Sequence, residues 1–187
     1  MKILITTFIL TLIYSNSYAS SLKFEPVYGV ERTQREFPEP AKYRTAAFLG
    51  LRALYGTPAF SLEFEVNQSN TTNDFPDQNL KVTYIDQKAL LGFRTYPLAS
   101  QIFGAFLRFG IRAEQNKREI EENGSDRTEN DPLSLDPYAG TGLTIVLGKA
   151  FALNAGATLI YNKNQEDEDE KFDTRYTFSF TIKAGNK

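Results

Sequence analysis

Pro137-Tyr138-Ala139-Gly140-Thr141-Gly142-Leu143-Thr144-Ile145-Val146-Leu147-Gly148-Lys149-Ala150-Phe151-Ala152-Leu153-Asn154-Ala155-Gly156-Ala157-Thr158-Leu159-Ile160-Tyr161 falls into two limbs around Gly148-Lys149, and its reading decides the fold. On the second limb Leu153, Ala155, Ala157, Leu159 and Tyr161 share one face. Asn154, Gly156, Thr158 and Asn162 share the other, with Ile160 the one apolar intruder. Alternation at period two marks a strand whose faces meet different surroundings. Each limb is about ten residues long, and a tilted strand of roughly 9–11 residues crosses a bilayer.

The unit repeats along the chain. Residues 22–31 set Phe24, Pro26, Tyr28 and Val30 against Lys23, Glu25, Gly29 and Glu31; residues 43–55, 59–67, 80–96, 102–114 and 172–182 alternate in the same way. Short connections stand at Gly56-Thr57-Pro58, at 96–100 and at Gly148-Lys149. Long polar ones cover 32–42, 68–79, 115–136 and 163–171, and the third of these predicts a short helix around 117–122. The sequence therefore predicts an all-β fold, an eight-stranded antiparallel up-and-down transmembrane β-barrel with short periplasmic turns and long extracellular loops. Closure of the sheet leaves no exposed edge.

Residues 1–19 are expected to lie outside that fold. Lys2, the apolar run 3–13 and the small residues Ser17 and Ala19 make a secretory signal peptide with cleavage after Ala19. The barrel domain is then 20–187, with 20 basic and 23 acidic residues. The mean hydropathy of −0.37 does not argue against a membrane barrel, because only alternate residues meet lipid. No cysteine is present, so neither a disulfide framework nor a lipid-modified N-terminal cysteine is expected.

Two features place lipid on the apolar face. Tyr43, Tyr55, Tyr161 and Tyr176 lie on it at predicted strand ends, as an aromatic girdle would. The charged face carries Gly50, Gly92, Gly104, Gly110 and Gly156 at mid-strand, which suits a narrow, crowded interior. The alternative is a secreted soluble lipocalin-like barrel, in which Leu49, Leu51, Phe60, Leu62, Phe64, Leu107 and Phe109 line a cavity for an apolar ligand. With lipid outside, the lumen holds Lys23, Arg44, Arg52, Lys88, Arg94, Arg108, Arg112 and Arg175 with Glu25, Glu31, Glu63, Glu65, Asp86 and Glu114. So narrow a lumen makes unpaired charge costly, and a ladder of arginine–carboxylate pairs is expected.

The phrases Leu90-Leu91-Gly92-Phe93-Arg94, Phe106-Leu107-Arg108-Phe109-Gly110, Pro137 to Gly142 and Leu147 to Leu153 resemble the small eight-stranded outer-membrane barrels, the OmpA/OmpX-like and opacity-protein-like porin group. The resemblance implies a bacterial outer-membrane location, contact with outer-membrane lipid and insertion by the barrel-assembly machinery. Members commonly end on an aromatic residue, whereas here Ile182-Lys183-Ala184-Gly185-Asn186-Lys187 follows Phe180.

Chemistry is sparse. Without histidine or cysteine, Ser-His-Asp and Cys-His catalysis are absent, and no enzyme, cofactor or metal site is expected. The run Glu166-Asp167-Glu168-Asp169-Glu170 lacks the spacing and glycine of a calcium loop. The four long connections carry +1, −2, −4 and −3, together −8, which argues against nucleic acid and for an extracellular or envelope partner met through acidic loops. A narrow ion or small-solute channel through the charged lumen is the competing reading.

Overall fold

The computed structural model describes residues 21–35, 42–57, 59–122, 124–162 and 171–184. The signal-peptide segment and the acidic run 166–170 lie outside the described residues. The strands are β1 (Ser21–Arg35), β2 (Lys42–Gly56), β3 (Phe60–Phe75), β4 (Leu80–Ala99), β5 (Phe103–Glu122), β6 (Ser125–Asn130), β7 (Ser134–Val146), β8 (Phe151–Tyr161) and β9 (Phe172–Ala184). Each neighbour pair is antiparallel, and β1 pairs with both β2 and β9. With β4 on β5 and β5 on β7, the ring closes through eight strands. The ninth, β6, pairs with β5 beyond the point where β7 leaves it.

Pairing is continuous except where the sequence forbids it. Between β1 and β9 the paired residues skip Glu25 and Pro26, because proline has no N–H to give. Between β4 and β5 the register shifts across Thr95 and Leu98, where Pro97 stands.

The exterior is apolar in successive rows across the wall. Leu51, Val66, Ala89, Ala113 and Leu135 follow one another in register, and Ala53, Phe64, Leu91, Ile111 and Pro137 form the next row. Leu49 is 69 % exposed and Phe178 65 %. A water-facing surface does not carry apolar area on this scale, and lipid covers it. The soluble alternative fails here, since Leu49, Leu51, Phe60, Leu62, Phe64, Leu107 and Phe109 all point outward and are exposed.

Above these rows stands Gln68–Gln87–Gln115, three amides in register on β3, β4 and β5. Beyond them the outer residues are polar apart from Ile85, as in Thr72, Thr83, Glu119 and Thr128, yet pairing continues. The second long connection is thus mostly strand. It turns through a single 3-10 turn, Pro76–Gln78, closed by left-handed Asn79, whose N–H donates to the Pro76 carbonyl at 3.1 Å. The predicted helix at 117–122 is also strand. Ile120 pairs with Val82 in a buried cluster with Leu80 and Tyr84, and an isolated six-residue helix has too few hydrogen bonds to compete with strands on both sides. Together β3, β4, β5 and β6 make a four-stranded wall that rises past the lipid band.

This layout sets a stability test. Leu91→Arg, in the middle of the apolar band, is expected to destabilise the barrel by about 2–4 kcal/mol in urea unfolding from lipid vesicles. Thr128→Arg, exposed on β6, is expected to stay within about 0.5 kcal/mol of the parent.

Candidate functional site: the charged lumen

The period-two pattern that gives lipid its apolar face turns every other side chain inward, where most of them are buried. Among the described residues the buried charges are eight cations, Lys23, Arg44, Arg52, Lys88, Arg94, Arg108, Arg112 and Arg175, and eight anions, Glu25, Glu31, Glu63, Glu65, Asp86, Glu114, Asp136 and Asp173. They form a column in three groups.

The group nearest the short turns is built on Arg52 and Glu65. Arg52 Nη1 donates to Glu25 at 2.8 Å and its Nε to Glu65 at 2.8 Å. Arg94 donates to Glu63 at 2.8 Å and lies 3.2 Å from Glu25. Arg108 bridges Glu63 and Glu65, and Arg175 reaches across from β9 to Glu65. Three guanidinium groups also lie on inward aromatic rings: Arg175 on Phe48 at 3.9 Å, Arg94 on Phe106 at 4.4 Å and Arg108 over Tyr138 at 5.0 Å. Each ring faces a glycine across the strand pair, with Phe48 opposite Gly29, Phe106 opposite Gly142 and Tyr138 opposite Gly110. Glycine leaves the width that an arginine stacked on an aromatic ring needs.

Towards the long connections, Lys88 lies 2.7 Å from Glu31 and 3.1 Å from Glu114. Arg112 meets Glu31, Glu114, Asp136 and Asp173 at 2.9, 2.8, 3.0 and 3.1 Å. Oxygens of Glu31, Glu114 and Asp173 come within 4.8 Å of one another, a spacing that could hold a metal ion. Lys88 and Arg112 already supply cationic charge there. The third group is Arg44 with Asp86 at 2.6 Å, supported by Ser69 and by the Tyr84 ring under the guanidinium.

All the charged residues expected in the lumen are buried there. Arg52–Glu65 and Arg94–Glu63 are the pairs that neighbouring strands suggest, whereas Lys88 turns to Glu31 and Glu114. Sequence reasoning missed Asp136 and Asp173. Each stands two residues before an inward residue, Tyr138 and Arg175, so parity alone points both inward. Ile160, the apolar intruder, is fully buried with Leu90 and Tyr138 inside the barrel.

On the outside, Tyr43 and Tyr161 lie at the long-connection end and Tyr55 at the turn end, while Tyr176 stands four residues inside β9. The turn-side belt is mainly phenylalanine. Phe60 stacks on Phe93 at 5.2 Å, Phe93 meets Phe109 at 5.8 Å, and Phe151 stacks on Phe180 at 5.4 Å.

A closed eight-stranded ring, apolar outside and filled with paired charge inside, fixes the architecture. It is the fold of the small outer-membrane β-barrels. Ail, the attachment invasion locus protein of Yersinia pestis, has the same fold at 11 % identity, with a TM-score of 0.57 over 88 % of this chain and 97 % of that one. Neisserial surface protein A matches at 12 % identity and 0.56, over 89 % and 99 %. A major outer membrane protein from Thermus thermophilus matches at 9 % identity and 0.53, over 89 % and 100 %. A family model described as "Protein of unknown function, DUF481" matches residues 119–183. No curated protein matches the chain in sequence.

Proposed function

We propose that the protein is a non-enzymatic outer-membrane barrel, inserted by the barrel-assembly machinery, with a sealed lumen and partner contacts at its extracellular end. The observation that carries this reading is the column of charge. All eight buried carboxylates are held by cations, seven of them within 3 Å of at least one basic nitrogen and Asp173 at 3.1 Å. An ion path needs sites that are entered and left, whereas these pairs occupy one another. The same pairing argues against acid–base catalysis by Glu63 and Glu65, whose oxygens already face Arg52, Arg94, Arg108 and Arg175.

The extracellular end is where this chain has surface to offer. The wall of β3 to β6 stands clear of the lipid band, and without the buried Asp136 the four long connections sum to −7. A basic protein surface, or lipid phosphates bridged by divalent cations, suits that charge. Ail has been solved in complex with the heparin analogue sucrose octasulfate. A polyanion of that kind is disfavoured at acidic segments such as these.

Planar-bilayer recording tests the sealed lumen. The folded barrel is expected to add no steady conductance above background. A reproducible ohmic conductance would overturn this reading and make the lumen an ion path.

A further inference from the structure

Of the eight buried cations, seven hold a carboxylate; Lys23 makes no ion pair among the described residues. It is 9 % exposed and lies at the short-turn end of the lumen, with its ammonium 5.6 Å from the centre of the Tyr96 ring. The carboxylate nearest in sequence, Glu25, is taken. It accepts from Arg52 and Arg94, from the hydroxyls of Thr181 and Ser179, and from Asn154.

The residue directly opposite Lys23 on β9 is Lys183, a second cation. Its parity is that of buried Thr181 and Ser179, so it points into the same mouth. Like charges facing each other across a strand pair destabilise a sheet, and a buried unpaired ammonium is costlier still. Lys23, Lys183, Tyr96, Asn154 and Thr181 line one cavity of about 120 Å³ there, enough for several waters or one small oxyanion. The Tyr96 hydroxyl accepts from Arg94 at 3.4 Å, which leaves its own hydrogen to give. The asparagine and threonine are turned to Glu25 and form wall rather than donors. The described turn residues at this end, 56–57, 59, 98–102 and 147–150, contain Lys149 and no acidic residue.

We propose that this mouth is an anion-binding vestibule for a phosphate group, held between Lys23 and Lys183 with the Tyr96 hydroxyl as third donor. A bound phosphate removes the repulsion between the lysines and gives Lys23 its missing counter-charge. The phosphate could come from an anionic lipid headgroup of the facing leaflet or from a small soluble phosphate, and one experiment separates the two.

The full barrel, folded in a non-ionic detergent, is heated while circular dichroism follows unfolding. Inorganic phosphate is titrated against chloride at equal ionic strength, and dihexanoyl phosphatidylglycerol against dihexanoyl phosphatidylcholine. At least one of the two anions is expected to raise the unfolding midpoint in a saturable way. Saturation first by phosphatidylglycerol identifies a headgroup site; saturation first by inorganic phosphate identifies a solute site. Lys183→Gln and Lys23→Gln are each expected to weaken that response about tenfold or more, the weight of one charge-assisted hydrogen bond. Lys149→Gln, which does not line the cavity, is expected to leave it unchanged. Lys183 lies at the exposed rim, so its variant folds, and without added anion it unfolds no lower than the parent because the repulsion is gone. The proposal is overturned if neither anion raises the parent's midpoint above its control, or if both lysine variants respond like the parent.

Discussion

Replacing Glu65 by alanine is expected to cost roughly 3–5 kcal/mol in urea unfolding from lipid vesicles, the cost of leaving buried charge without its partner. Glu65 is fully buried and is the meeting point of Arg52, Arg108 and Arg175. Its removal does not harm the three equally. Arg52 keeps Glu25 at 2.8 Å, and Arg108 keeps Glu63. Arg175 has Glu65 as its one ion-pair partner among the described residues; its guanidinium lies on the face of Phe48, and Glu31, opposite it on β1, is held by Lys88 and Arg112. The cluster of Arg52, Arg94, Arg108 and Arg175 with Glu25, Glu63 and Glu65 already holds one cation more than it holds anions. Alanine at 65 raises that excess to two.

The reverse change should behave differently, and the asymmetry is the test. Arg175→Met removes the surplus cation and leaves Glu65 with Arg52 and Arg108. Its methionine can still lie on Phe48, so the expected cost is under about 1.5 kcal/mol. In the double variant Glu65→Ala with Arg175→Met, much of the loss from the first change should be recovered. Equal costs for both single variants would mean that the cluster acts as packing material, with its charge balance of no consequence.

The parts of this barrel that could be read from the sequence are those on which the membrane imposes two environments. Between the turn end and the Gln68–Gln87–Gln115 row, lipid on one side and a crowded lumen on the other force strict alternation. Leu153, Ala155, Ala157 and Leu159 or Phe103, Ala105, Leu107 and Phe109 therefore announce their strands. Above that row no lipid covers the outer face, the buried apolar cluster of Leu80, Val82, Tyr84 and Ile120 lies on β4 and β5 alone, and Asn70 to Asp74 and Lys117 to Glu122 look like loop or helix although they are paired strand. Inward residues follow from parity, but their partners do not. Arg175 finds Glu65 across 110 residues of chain only because the ring closes, and Lys23 stands opposite Lys183 for the same reason. Which cation lacks a carboxylate is a property of the closed barrel.

Closure also makes the strand glycines the most sensitive positions in the wall, and Gly110→Ala is expected to prevent assembly. Gly92 and Gly110 face each other across β4 and β5. A Cβ on Gly110 would lie 2.2 Å from the Leu91 carbonyl oxygen and 2.6 Å from the Gly92 Cα, both backbone atoms of a paired strand. No side chain can swing away to relieve those contacts, so β4 and β5 would have to separate, and in a ring they can do so only by straining the other strand pairs. Glycine to alanine in an extended strand ordinarily stabilises by about 0.4–1 kcal/mol through the unfolded chain, an effect far too small to offset this overlap. Gly29→Ala and Gly142→Ala should be milder in kind though still severe. The ring ends of Phe48 and Phe106 lie 2.2 and 2.3 Å from the added carbon, but the Tyr176 and Ala155 carbonyl oxygens also stand at 2.5 and 2.4 Å. Shrinking the ring in Gly29→Ala with Phe48→Leu relieves only the first of these and should restore folding in part. Gly148→Ala, in a turn with nothing within 4 Å, is the control and should fold like the parent. Folding into vesicles, read as the mobility shift between unheated and heated samples on a denaturing gel, ranks the series. A folded, heat-shifted Gly110→Ala barrel would show that β4 and β5 can part without opening the ring.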